Sequence, residues 1–153
     1  MDEQLKRTIF ETMSEVFETM FFTFLEPVSA LPSEGSVGEN LEYIEGKISF
    51  MCDTEGGVSI YFPRGLAQFI TVNFLGFEEE EVTERQILDT VRETVNMSVG
   101  SLLGKIDPEG VCNLQIPEAK TVVDFSANLL LSEPGLCLFN TEFGYLWVVY
   151  KGN

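Results

Sequence analysis

The sequence contains no histidine. That removes the usual general base at neutral pH, the commonest metal ligand and every His-dependent triad. Positive charge is scarce: 9 Lys+Arg stand against 25 Asp+Glu, a formal net charge of −16. Such a surface repels phosphate backbones and anionic lipid, which argues against nucleic-acid and membrane-surface roles. Cysteine is limited to Cys52, Cys112 and Cys137, with no CxxC pair and no zinc spacing. Each lies in or beside an apolar run, so buried, reduced thiols and a cytoplasmic location are expected, with no metal site. No apolar stretch has the length of a membrane span. The first apolar segment is interrupted by Glu11, Glu15 and Glu18, unlike a secretion signal.

What is present is a chain of 153 residues, 44 % of them hydrophobic, enough for one globular core. Its central stretch, 83–105, has the period of a helix. Apolar Leu88, Val91, Val95, Val99 and Leu102 recur at spacings of three and four, a core-facing stripe. Asp89, Glu93, Asn96 and Gly100 then share the opposite face. A carboxylate and a carboxamide stand one turn apart, and a glycine follows where a side chain would otherwise project. Glycine inside a helix costs about 1 kcal/mol relative to alanine. Internal packing gives no reason for one on an exposed face, whereas the close approach of another molecule does. Exposed Glu and Asn are also what an ordinary solvated helix face carries, so the spacing alone does not define a site.

Around this helix the chain reads in order. A first helix is expected over 2–25, with Ile9, Met13, Phe17, Met20 and Phe24 buried. Pro27 and Pro32 open a loop. A hairpin follows, 41–52 and 58–62, around the turn 53–57. Pro63 starts a short helix that ends near Gly76, with Leu66, Phe69, Ile70 and Val72 buried. The acidic run 78–81 reads as a solvated complement to the helix dipole. Residues 107–110 close the long helix, and three strands are expected at 121–131, 136–140 and 145–150.

The chain also matches itself at an offset of 78 residues, the distance from Glu15 to Glu93. Arg7, Ile9, Thr12 and Leu25 fall on Arg85, Ile87, Thr90 and Leu103; Glu55 and Gly57 fall on Glu133 and Gly135. The expectation is one domain of two related helix–hairpin halves, roughly 5–62 and 83–140. In the first half Glu18 stands in place of Asn96 and Phe22 in place of Gly100. The second half therefore carries the function. Glu18→Asn with Phe22→Gly should restore some activity to a chain lacking Asn96.

With these residues in hand, the chain resembles the CheX branch of the CheC/CheX/FliM family. The resemblance rests on Glu93-Thr94-Val95-Asn96-Met97-Ser98-Val99-Gly100, on Val16-Phe17-Glu18-Thr19-Met20, and on Leu114-Gln115-Ile116-Pro117. It implies an α+β (layered α/β), CheC-like fold, with two pseudo-two-fold halves and long helices on one face of a largely antiparallel sheet. It implies a phosphatase for the aspartyl phosphate of a CheY-like response regulator. Asn96 would orient the attacking water and Glu93 would pair with a lysine of the regulator, while Asp89, Met97 and Gly100 would meet the partner. Magnesium would sit on the regulator, and this chain would bind no cofactor. CheX-like proteins pair through their strands, so a homodimer is expected, with 136–150 apolar enough to form its edge. The alternative is a non-catalytic scaffold that docks on a response regulator or a flagellar switch component.

Overall fold

The computed structural model describes residues 1–33, 35, 42–76, 78 and 81–152. The described residues form four helices and seven strands, in the order α1 (Glu3–Phe21), β1 (Glu26–Pro27), β2 (Tyr43–Met51), β3 (Glu55–Pro63), α2 (Arg64–Leu75), α3 (Glu84–Ile106), β4 (Asn113–Leu114), β5 (Glu118–Val122), α4 (Ala127–Leu131), β6 (Leu136–Thr141) and β7 (Gly144–Lys151). The strands form a single sheet in the order β1-β6-β7-β3-β2-β4, with β5 also pairing β2. Every pairing is antiparallel. The order mirrors about the β3–β7 pair. Hairpin β2–β3 answers to β6–β7, β1 to β5, and α1 to α3.

Strand alternation divides the side chains between two faces. On one face Ile44, Ile48, Val58, Ile60, Phe62, Phe139 and Val148 join Ile9, Met13 and Phe17 of α1, Leu66 and Ile70 of α2, and Val91, Val95 and Val99 of α3 in the main core. On the other, Tyr43, Leu136, Leu138, Trp147 and Val149 form a smaller cluster against Phe125, Leu130 and Leu131. Phe125 stacks on Tyr43 with ring centroids 3.9 Å apart. No helix of the described residues is long and apolar enough to cross a membrane.

The stretch 121–131 is not one strand. β5 loses its partner where β2 begins, at the Tyr43–Val122 pair, and the chain then turns over the sheet into α4. The first helix stops at Phe21 because Phe22 turns left-handed (φ 51°), and the N–H groups of Phe22 and Thr23 both reach Phe17 O. Asn73 of α2 donates to Phe21 O at 3.0 Å and fixes that end. The buried face of α1 is therefore Ile9, Thr12, Met13, Val16, Phe17 and Phe21, while Met20 and Phe24 are exposed. On α2 the buried residues include Ala67 and Thr71 instead of Phe69 and Val72.

The expected reduced state fails for two of the three thiols. Cys52 and Cys112 form a disulfide, with Cα atoms 4.1 Å apart. They are 60 residues apart in sequence, but β4 pairs Asn113 with Met51 at the end of β2 and so brings them side by side. Cys137 alone is a buried free thiol, and desolvation pushes its pKa up to about 12.

β6 and β7 are not edge strands. β6 lies between β1 and β7, and β7 between β6 and β3; their apolarity serves the two cores. The mirror order also sets β3 against β7, so the matches of Glu55 and Gly57 with Glu133 and Gly135 compare strands that are not equivalent. Of the acidic run, Glu79 and Glu80 lie outside the described residues, as does Leu41 ahead of β2. α3 is started by a capping box: Gln86 N–H donates to Thr83 Oγ1 (3.2 Å) and Thr83 N–H to Gln86 Oε1 (2.9 Å).

Candidate functional site

α3 is the element that positions the candidate residues. It seats closely on β2 because Gly46 has no side chain; a Cβ there would overlap Val95 Cγ2 and Val91 Cγ1. Val91, Val95, Val99 and Leu102 are buried as the periodicity requires, with Leu88 at the margin. Ile87, Thr90, Thr94, Ser98 and Leu103 are buried too, because α1 and α2 pack along the flank of α3 while the sheet lies beneath it. Two flanks covered leave one strip free. Asp89, Glu93 and Gly100 are exposed on it, and Asn96 and Met97 are half-buried at its margins.

These residues are not equivalent. Asp89 is held by Arg92, three residues on, at 2.5 Å. Glu93 and Asn96 have no ion pair or hydrogen-bond partner among the described residues. Their side chains start about 5–6 Å apart, the spacing of i and i+3 on a helix. A carboxylate and a carboxamide are thus presented together, uncommitted, with donor and acceptor capacity on the amide. Gly100 leaves open space: the nearest atom to a Cβ built there is Leu114 Cδ2, at 4.0 Å. Met97 leans on the core, packed against its cluster.

A wall lies beside this strip. Arg92, Asn96 and Gly100 are spaced by four and form one row of the helix. At one end of the row Arg92 shares a groove of about 430 Å³ with Glu45, Lys47, Pro117 and Lys120. At the other, Gly100 meets Leu114. The segment 114–117 therefore runs along the Asn96 side of α3. Leu114 to Pro117 carries the family resemblance in the sequence, but its place beside α3 is set by the long-range pairing of Asn113 and Leu114 with β2 and so is not visible there.

The corresponding part of α1 is occupied differently. Lys105 of α3 reaches across to Glu15 Oε2 at 3.0 Å and to Thr12 Oγ1 at 3.0 Å. Phe22 lies past the helix end, 84 % exposed, and not on a helix face equivalent to that of Gly100.

A mirrored antiparallel sheet with long helices on one face defines the CheC-like class, and solved structures share it over almost the whole chain. A CheC-like superfamily protein from Shewanella sp. PV-4 superposes with TM-score 0.72 at 20 % identity, covering 99 % of this chain and 98 % of that one. The chemotaxis protein CheX from Vibrio vulnificus gives 0.73 at 21 %, covering 97 % and 95 %. CheX in a CheX–CheY–BeF3–Mg complex from Borrelia burgdorferi gives 0.65 at 15 %, covering 95 % of each. No curated protein matches the sequence directly. The family described as "Chemotaxis phosphatase CheX" matches residues 44–140, and the chain belongs to that family.

Proposed function

We propose that the chain hydrolyses the aspartyl phosphate of a CheY-like response regulator, with α3 as the active element. The observation that carries this is the pairing of Glu93 and Asn96, adjacent, outward and uncommitted, on a helix whose next turn is left open by Gly100. In this reading the regulator's phosphoryl group and its magnesium ion come to α3. Asn96 holds a water by its amide as the water oxygen bonds to phosphorus. The phosphorus–oxygen bond to the aspartate breaks, the carboxylate is regenerated, and phosphate leaves. Phosphoryl transfer of this kind asks for positioning and electrostatics more than for a strong base, which suits a chain without histidine. Glu93 pairs with a lysine of the regulator and fixes the register. Met97 and Gly100 lie under the partner, whereas Asp89 contributes through Arg92. The complex of CheX with CheY supports the choice of partner.

Phosphate release from phosphorylated regulators, with and without the chain, tests the activity. A chain that binds them without accelerating release would be the scaffold instead. The compartment in this reading is the cytoplasm, set by the partner and no longer by the thiols. The reading also includes a homodimer, but through a different edge. Among the described residues β5 pairs only with β2, which leaves its outer side for a second copy. Light scattering should give twice the 17.2 kDa chain mass; a monomer would rule this out.

A further inference from the structure

We infer that Ile116 is an apolar docking and specificity residue for the response regulator, acting beside the polar pair on α3; the inference rests on the function proposed above. Ile116 is 85 % exposed, the most exposed of the large apolar side chains described. An aliphatic side chain left in water gains nothing within the chain. The mount that displays it is firmly held. Upstream, the Asp107 carboxylate accepts the N–H groups of Val111 (3.1 Å) and Cys112 (2.7 Å), and Cys112 is bonded to Cys52. Asn113 and Leu114 pair with β2, and Gln115 N–H donates to Ser49 O at 2.8 Å. Downstream, Glu118 is already paired with Lys47. Ile116 is thus fixed between two stretches that are both hydrogen-bonded to β2.

Its position gives the occupant. Leu114 touches the space over Gly100, and Pro117 shares the groove of Arg92, so Ile116 stands on the wall along the Arg92–Asn96–Gly100 row. A protein that brings a phosphoryl group to Asn96 and its backbone over Gly100 lies against this wall. The matching surface is an aliphatic or aromatic side chain on the rim of the regulator's phosphorylation pocket. Small phosphate esters present no such surface, so Ile116 discriminates for the protein substrate.

Steady-state hydrolysis of the phosphorylated regulator by Ile116→Ser, Ile116→Val and Asn96→Ala tests this. Ile116→Ser should raise KM by about ten-fold or more, the effect of losing the burial of an aliphatic side chain, at unchanged kcat. Ile116→Val should recover most of the loss, and both variants should melt as the wild type does because the site is exposed. A KM for Ile116→Ser within two-fold of wild type overturns the inference, as does a fall in kcat at unchanged KM. If Asn96→Ala is inactive while Ile116→Ser behaves as wild type, this inference alone fails. If Asn96→Ala turns over as wild type does, the underlying reading fails and takes the inference with it.

Discussion

A carboxamide at position 96 does what neither a carboxylate nor an alkyl group can. It donates and accepts at once, and it is neutral, so it can hold a water without repelling the phosphoryl oxygens. The side chain has no hydrogen-bond partner among the described residues, so its removal leaves none of their buried groups unsatisfied. Asn96→Ala should therefore fold normally and lose about 10²-fold or more in turnover, the scale of a lost near-attack orientation. Glu93→Ala should raise KM as well as lower turnover, since the proposed function gives it an ion pair with the partner. Equal melting temperatures with the two kinetic signatures would separate orientation from docking. Wild-type kinetics in Asn96→Ala would remove α3 from the chemistry. Both residues were legible in the sequence because helical periodicity alone places them opposite the apolar stripe. The pairing of Asp89 with Arg92 was not, since many surface side chains lie within reach of an arginine.

At the scale of elements, α3 lies within a residue of the expected 83–105 because its signals are local: a sustained apolar period, and Asp107-Pro108 at its finish. The stretch after it was misread because long-range pairing decides it. Nothing in 113–131 announces that its first part lies on β2 and its last part folds over Tyr43, and the Cys52–Cys112 bond follows from the same pairing. One contact holds three of these elements together. Arg64, at the start of α2, makes a forked pair with Glu84 at the start of α3, and Thr121 of β5 donates to the same carboxylate at 2.9 Å. The hydrogen bond from Arg64, ahead of that from Thr121, holds the Glu84 carboxyl below its ordinary value of 4.5. A carboxylate whose folded pKa is depressed stabilises the fold above its unfolded pKa, and that contribution is lost as pH falls through the folded value. The melting temperature should thus fall more steeply with acid below about pH 4.5 in the wild type than in Glu84→Gln. The difference should be small, because the pair is largely solvent-screened. Parallel acid profiles for the two proteins would show that the pair contributes nothing to this joint.

Across the whole molecule the two halves share an architecture but not a surface. The helix offset was visible in the sequence, because both helices carry the same buried threonine and the same outward glutamate, Thr12 with Glu15 and Thr90 with Glu93. The hairpin offset was not, because the turn between β2 and β3 and that between β6 and β7 lie farther apart than the helices do. An ungapped comparison therefore laid β3 on β6 instead of β7. This changes what can be rebuilt. The substitutions Glu18→Asn and Phe22→Gly place the right residue types on α1, but α1 ends at Phe21, so position 22 lies off the helix face where Gly100 provides open space. Its glutamate is also engaged, by Lys105 at 3.0 Å, and so is not free to pair with a lysine of the partner. β1, the counterpart of β5, has only two residues. The double change in an Asn96→Ala background should consequently leave phosphate release at the level of Asn96→Ala alone. Glycine at position 22 should meanwhile raise the melting temperature, since it adopts the left-handed conformation at about 1 kcal/mol less cost than phenylalanine. Release well above the Asn96→Ala level would mean that a Glu-x-x-Asn pair suffices without the open turn and the wall, and the site would then be smaller than the one described for α3.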